Sequence, residues 1–132
     1  MANVNKPYKI TLIGEGGVGK TRFLSKFLSH PPPASPTLGL EIRPVVFPTL
    51  DGEVTVHFWD CGGTKPFDGL GPKTYGESSD VFIIVYKDLE KANEWFAENI
   101  GQTDIPCKLV STDDENVHEI MANILDELAQ SR

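Results

Sequence analysis

The sequence has few cysteines, few basic residues and no long apolar run. Its two cysteines, Cys61 and Cys107, follow no apolar leader and lack zinc-site spacing, so neither a disulfide framework nor a zinc centre is expected. Twelve Lys and Arg face nineteen Asp and Glu, for a net charge of -7, which argues against unspecific binding to nucleic acid or an anionic membrane. No stretch reaches the ~20 apolar residues of a membrane-spanning helix, and no terminal cysteine offers a prenylation site. We therefore expect reduced thiols, a cytoplasmic or nuclear location, and no membrane or nucleic-acid partner.

Length and charge distribution indicate one domain with two unlike halves. A chain of 132 residues, 39% of them hydrophobic, can build one compact core, so we predict a single domain over residues 1–132. Residues 1–76 carry eight basic and six acidic side chains, whereas residues 77–132 carry four and thirteen. The amino-terminal half is therefore the less acidic one, and it contains the candidate anion site.

Segments rich in β-branched and aromatic residues alternate with segments of helical period, a pattern typical of helices packed on a sheet. The predicted strands are Tyr8–Ile13, Glu41–Phe47, Val54–Trp59, Val81–Tyr86 and Ile105–Val110. The predicted helices run from Gly19 to about Ser29, from Leu89 to about Asn99, and from Glu115 to about Gln130. An Asp51-Gly52 turn should join the second and third strands as a hairpin. We predict an α/β sandwich of about five strands, mostly parallel with one antiparallel edge.

The strongest motif is a phosphate-binding loop between the first strand and the first helix. It reads Gly14-Glu15-Gly16-Gly17-Val18-Gly19-Lys20-Thr21 and fits the pattern GxxxxGK[ST] in the required strand–loop–helix order. Its glycines let successive backbone N–H groups point at phosphate oxygens. Lys20 should contact the β- and γ-phosphates, the Thr21 hydroxyl should bind Mg²⁺, and Arg22 is a further candidate contact in the helix.

A second element, Asp60-Cys61-Gly62-Gly63, ends the third predicted strand. A carboxylate there can hold Mg²⁺ through water, and the Gly63 N–H can bond the γ-phosphate, whereas the alternative is an Asp that caps a turn. Thr37 lies in a Pro-rich loop and either closes over the metal or is a solvated turn residue.

These stretches resemble the Ras superfamily of small GTPases, and within it the Ran family most closely. The resemblance rests on Gly14–Thr21, on Thr37–Thr49, and on Trp59-Asp60 with Phe67-Asp68-Gly69-Leu70, and it runs from Pro7 to Val85. It implies a P-loop three-layer sandwich that binds GTP or GDP with Mg²⁺.

The same resemblance assigns further roles. It makes Thr37 a magnesium ligand beside Thr21 and Asp60. It also implies two switch segments, near Ser35–Glu41 and Cys61–Tyr75, together with exchange and activating factors as partners.

The sequence departs from the family at the catalytic and base-reading positions. Thr64 stands where the family usually has a Gln that orients the attacking water, so catalysis by Thr64, Gly63 and Thr37 should be slow. The guanine-reading strings Asn-Lys-x-Asp and Ser-Ala-Lys are absent, so one strand and one helix of the usual fold should be missing and ATP becomes a possible ligand.

Asp113 or Asp114 could replace the base-reading aspartate. Alternatively, the Thr112–Glu115 cluster is a capping box for the last helix.

Two function hypotheses follow. The first is a Ran-like, Mg²⁺-dependent GTP switch with slow hydrolysis and weakened guanine selectivity. The second is a pseudo-GTPase that mimics Ran and binds nuclear-transport receptors without nucleotide control.

Overall fold

The computed structural model describes residues 6–14, 20–27, 41–50, 52–60, 78–112 and 116–131. Within these ranges the chain forms five strands and three helices, in the predicted order. They are β1 (Tyr8–Ile13), α1 (Lys20–Ser25), β2 (Glu41–Thr49), β3 (Gly52–Asp60), β4 (Val81–Tyr86), α2 (Leu89–Asn99), β5 (Cys107–Ser111) and α3 (Val117–Ser131). None of the described helices is long and apolar enough to cross a membrane.

The strands form one sheet in the order β2-β3-β1-β4-β5. β1 runs parallel to both β3 and β4, and β5 runs parallel to β4. β2 is antiparallel to β3 and forms one edge. The predicted mostly parallel sheet with one antiparallel edge strand is therefore confirmed.

The β2–β3 hairpin turns where the sequence predicts it. Thr49 pairs with Gly52, and the Thr49 hydroxyl donates a hydrogen bond to the Gly52 carbonyl. Gly52 has a φ of 117°, a conformation that residues with a Cβ rarely adopt. Asp51 lies outside the described residues.

One face of the sheet packs against α1 and α3. Fully buried side chains of β1, β3 and β4, among them Ile10, Phe58 and Ile83, form this core. α3 packs through one apolar stripe, in which Val117, Met121, Ile124, Leu125 and Leu128 are buried and Ile120 packs beside them. The helix is therefore held by the apolar face that its periodicity predicts.

The opposite face packs against α2. Its core consists of Ile13, Phe82, Ile84, Ala92 and Ile100, with Trp95 and Phe96 packed against them. Two helices on one face and one on the other make the predicted three-layer sandwich. β4 is buried on both faces, as expected for a central parallel strand.

Several boundaries differ from the predictions. β2 extends to Thr49, and β3 runs from Gly52 to Asp60, so both strands of the hairpin are longer than predicted. α1 is helical only to Ser25 and continues as a turn at residues 26–27, while residues 28–30 lie outside the described part. β5 begins at Cys107 and not at Ile105, because the Ile105 N–H bonds the Thr103 hydroxyl.

The Thr112–Glu115 capping box is wrong for the start of the last helix. α3 begins at Val117, and the Asn116 carbonyl accepts the hydrogen bond from the Ile120 N–H at 3.0 Å. Asn116 therefore occupies the capping position. The Thr112 N–H instead donates to the Tyr86 carbonyl at 2.9 Å, which extends the β4–β5 pairing.

Candidate phosphate and magnesium site

The candidate phosphate loop joins a buried strand to a helix, as the motif requires. β1 ends at Ile13, Gly14 follows it in a buried position, and α1 begins at Lys20. The strand–loop–helix context is therefore confirmed. Lys20, Thr21 and Arg22 are the first three residues of α1, and the structure describes their backbone but not their side chains.

The loop begins where the strand order of the sheet reverses. β1 has β3 on one side and β4 on the other, and all three strands run parallel. Their carboxyl ends therefore meet at one edge of the sheet. Open α/β sheets bind ligands outside the carboxyl ends of their strands at such a reversal.

Asp60 lies at this edge, beside the start of the loop. It is the last residue of β3 and is 2% exposed. In the parallel register it pairs with Leu12, two residues before Gly14. Neighbouring strands are about 4.8 Å apart, so the backbone of Asp60 lies one strand spacing from the chain that enters the loop.

The buried carboxylate of Asp60 fits a magnesium site. A buried carboxylate is costly unless cations or donors surround it, and Mg²⁺ is usually held by one or two carboxylates, with phosphate oxygens and water as the other ligands. Within the described ranges, no group of three or more His, Cys, Asp or Glu could hold a metal ion.

Aromatic packing fixes α1 against β3, the strand that ends at Asp60. Phe58, two residues before Asp60, is fully buried. Its ring centroid lies 6.5 Å from that of Phe23 and 6.3 Å from that of Phe27. Edge-to-face and offset-stacked rings at such distances attract one another. Phe47 of β2 completes the cluster at 5.5 Å from Phe27.

Polar contacts that the sequence reasoning missed join the segment before β4 to the β4 side of β1. The Lys9 N–H donates to the Asp80 carboxylate, and the Asp80 N–H donates to the Lys9 carbonyl, each at 2.8 Å. The buried hydroxyl groups of Thr11 and Ser79 share a hydrogen bond of 2.5 Å. Polar residues at alternate positions of the otherwise apolar β1 were the available signal.

Trp59, the residue before Asp60, makes a contact with a cation. It is only partly buried, and the Lys9 ammonium lies 3.8 Å from the centroid of its ring, a cation–π contact. Partial burial lowers the pKa of Lys9, since removal from water disfavours the charged form. Trp95, the other tryptophan, packs against the core on the α2 face of the sheet.

Several predicted site residues lie outside the described part of the chain. They are Glu15, Gly16, Gly17, Val18 and Gly19 of the loop, Thr37, Gly63 and Thr64 of the switch segments, and Asp113 and Asp114 near the predicted base site. Their roles stay predictions. The structure brings together Gly14, the start of α1, and Asp60.

The end of the sheet where a base would be read is short. β5 has five residues and α3 begins at Val117, so only residues 112–116 separate the two. The Thr112 bond to Tyr86 ties the first of them to the end of β4. A connection of this length is too short to contain both a further strand and a further helix, as the sequence predicts.

Comparison with protein families decides between folds that share a phosphate loop. A family model described as "Ras of Complex, Roc, domain of DAPkinase" matches residues 9–125. The chain belongs to the Roc family. The Roc match begins at the second residue of β1 and ends within α3, so it extends over all the described elements.

The Roc family is a Ras-like GTPase family, and membership confirms the resemblance to the Ras superfamily. It supports GTP binding as a molecular switch, with guanine nucleotide and Mg²⁺ as the ligands that such a domain implies in general. The closer similarity of this Roc domain to the Ran family stays a prediction.

Proposed function

We propose that this Roc domain is a Mg²⁺-dependent nucleotide switch, most similar in its switch sequences to Ran, with slow intrinsic hydrolysis and weakened guanine selectivity. The observation that carries the proposal is the position of Asp60, buried at the carboxyl end of β3 and paired in register with the strand that enters the phosphate loop. That juxtaposition supports a role for this carboxylate beside a bound triphosphate.

The phosphate loop and the start of α1 would supply different contacts to the triphosphate. Backbone N–H groups of Gly14–Gly19 surround the phosphates, Lys20 contacts the β- and γ-phosphates, and Arg22 adds a contact from α1. Mg²⁺ would be held by the hydroxyls of Thr21 and Thr37 and, through water, by Asp60. The bound metal supplies charge neutralisation between the β- and γ-phosphates.

The sheet register explains how a γ-phosphate would control both switch segments. Glu41, where the first segment ends, is paired with Asp60, immediately before the second segment. Both segments, 35–41 and 61–75, therefore adjoin the same backbone pair at the edge where the phosphates bind. Contacts to the γ-phosphate and its metal would order the two segments together, and hydrolysis would release them.

A second candidate function is an interaction module that has lost nucleotide control. The observation in its favour is the five-residue connection between β5 and α3, which excludes the usual base-reading strand and helix, together with Thr64 at the catalytic position. Such a pseudo-GTPase would bind nuclear-transport receptors, in the cytoplasm or the nucleus, and would not respond to exchange or activating factors.

Nucleotide content separates the two functions. The protein is purified without added nucleotide, denatured, and the released nucleotides are resolved by ion-exchange chromatography, with Asp60→Asn and Lys20→Ala in parallel. The switch predicts GDP or GTP bound to the wild type and little bound to either variant. Equal, near-zero content in all three, with no binding of added Mg²⁺ and GTP, supports the interaction module.

A further inference from the structure

The two edges of the sheet are built differently. The β2 edge carries Pro44 and Pro48, paired with His57 and Glu53 of β3. A proline has no N–H and is tolerated in an edge strand where that N–H would point away from the neighbour. In an antiparallel pair, residues whose backbone N–H and C=O groups point at the partner strand alternate with residues whose groups point away from it. The backbone groups of Ile42, Pro44, Val46 and Pro48 therefore point outward, away from β3. Two of these four residues lack the donor that an added strand would need.

The β5 edge keeps its donors. The Phe82 N–H bonds the Pro106 carbonyl and the Thr112 N–H bonds the Tyr86 carbonyl, each at 2.9 Å. Residues 106 and 112 therefore face β4, and by the alternation of a parallel ladder residues 108 and 110 face it too. The N–H and C=O groups of Cys107 and Leu109 point away from β4. β5 contains no proline, so this side of the sheet can accept another strand.

The side chains of β5 also leave this edge open. Cys107 is exposed and Leu109 is 48% exposed. The charge of the strand is on Lys108, which is held by Glu127 of α3 at 2.8 Å. Natural edge strands are commonly protected by prolines or by charged side chains, and β5 has its one charge paired on the α3 face.

The turn before β5 and the two helices that flank β5 in the chain are acidic. Exposed acidic residues are Asp104 before the strand, Glu90, Glu94 and Glu98 on α2, and Glu119, Asp126 and Glu127 on α3. Against them the same elements carry Lys91 and Lys108. A second copy of the chain would bring the same acidic surface and a net charge of -7, so charge opposes self-pairing and favours a basic partner.

We propose that the outer edge of β5 binds a basic, extended segment of a partner protein as an added strand. Main-chain hydrogen bonds to Cys107 and Leu109 supply the pairing, and the flanking acidic helices select for Lys and Arg. The site lies at the edge of the sheet farthest from β2.

The test uses a fluorescein-labelled seven-residue peptide of alternating Lys and Val, with a Glu and Val peptide of equal length as the charge control. Binding is measured by fluorescence anisotropy with the wild type and two variants. Leu109→Pro removes a backbone N–H that points outward from β5, and Val46→Pro removes an outward N–H from β2 as the matched control. We expect binding of the basic peptide to weaken at least tenfold in Leu109→Pro and to be unchanged in Val46→Pro. Equal binding by both variants, or equal binding of the acidic peptide, would overturn the proposal.

Two further measurements keep the result interpretable if Leu109→Pro does not fold. A basic peptide with N-methylated amides along one edge should lose affinity for the wild type, and hydrogen exchange should slow at the Leu109 amide but not at the Val46 amide when the unmodified peptide binds. Undiminished binding of the methylated peptide contradicts strand addition. If the protein alone forms a concentration-dependent dimer that pairs through β5, the occupant of this edge is a second copy of the chain, and the proposal of a partner segment is wrong.

Discussion

Two regions of this Roc domain differ in how well they are packed. The phosphate end contains β3 and α1, and the base end contains β5. At the phosphate end, β3 has nine residues, and its buried positions include Phe58 and Asp60, against which α1 is held by aromatic rings. At the base end, β5 has five residues, of which only Val110 is buried. Among the described residues, the sheet is therefore well packed where a triphosphate would bind and short where a base would be recognised.

This difference predicts unequal costs for truncating a side chain at each end. Phe58→Ala should destabilise the protein by about 3–5 kcal/mol, because the ring is fully buried among other aromatics. Leu109→Ala, at a side chain 48% exposed on β5, should cost less than about 1 kcal/mol. Urea unfolding of nucleotide-free protein measures both. A larger loss for Leu109→Ala would show that the base end carries the stability.

Weak base selectivity is the functional counterpart of the short base end. Rejection of the wrong base requires buried groups that are left unpaired when it binds, and the usual strings that provide them are absent. We expect ATP to compete measurably with GTP in competition titrations. A preference for GTP above about a thousandfold, or about 4 kcal/mol, would reveal a replacement base site, for which Asp113 and Asp114 are the candidates.

Measurements of the hydrolysis rate test whether the phosphate end also has the geometry for catalysis. Thr64→Gln restores a side chain able to orient the attacking water and should speed single-turnover hydrolysis at least about tenfold, or about 1.4 kcal/mol in the barrier. Nucleotide affinity should be nearly unchanged, since the side chain acts in the chemical step.

Thr64→Asn is the matched control, because it has the carboxamide without the reach. An unchanged rate in Thr64→Gln, with binding still lost in Lys20→Ala, would indicate a site that holds nucleotide without catalytic geometry.

The smallest expected effect concerns the ion pair that joins β5 to α3. Lys108 and Glu127 are 38% and 60% exposed, and exposed pairs contribute only about 0.2–1 kcal/mol. A double-mutant cycle with Lys108→Ala and Glu127→Ala should give a coupling energy in this range that falls as salt is added. A coupling well above it would mean that the base end is anchored by charge.

The sequence predicted the elements of this fold better than their ends. Strands β1 and β4 and helix α2 have the predicted bounds. β4 is a continuous apolar run, β1 alternates apolar and polar residues, and α2 has a clear helical period, each between turn residues. The start of α3 was wrong because Thr112–Glu115 has the composition of a capping box, while the Thr112 N–H pairs with Tyr86 through space. A tertiary hydrogen bond of this kind has no local signature.

The candidate site was predictable in its parts but not in its contacts. The GxxxxGK[ST] string and the acid at the end of a strand identified Gly14 and Asp60, since both depend on local spacing. The contact of Lys9 with Trp59 and the hydroxyl pair of Thr11 and Ser79 depend on which strands become neighbours, which the spacing of residues along the chain does not determine.

Thermal unfolding with and without ligand tests nucleotide binding most directly. A ligand that binds only the folded state stabilises it by RT ln(1 + [L]/Kd), about 2.7 kcal/mol at a hundredfold excess over Kd. We predict that Mg²⁺ with a non-hydrolysable GTP analogue raises the melting temperature of the wild type and leaves that of Lys20→Ala unchanged. If Lys20→Ala is stabilised as much as the wild type, or if neither protein is stabilised, the phosphate site proposed here is wrong.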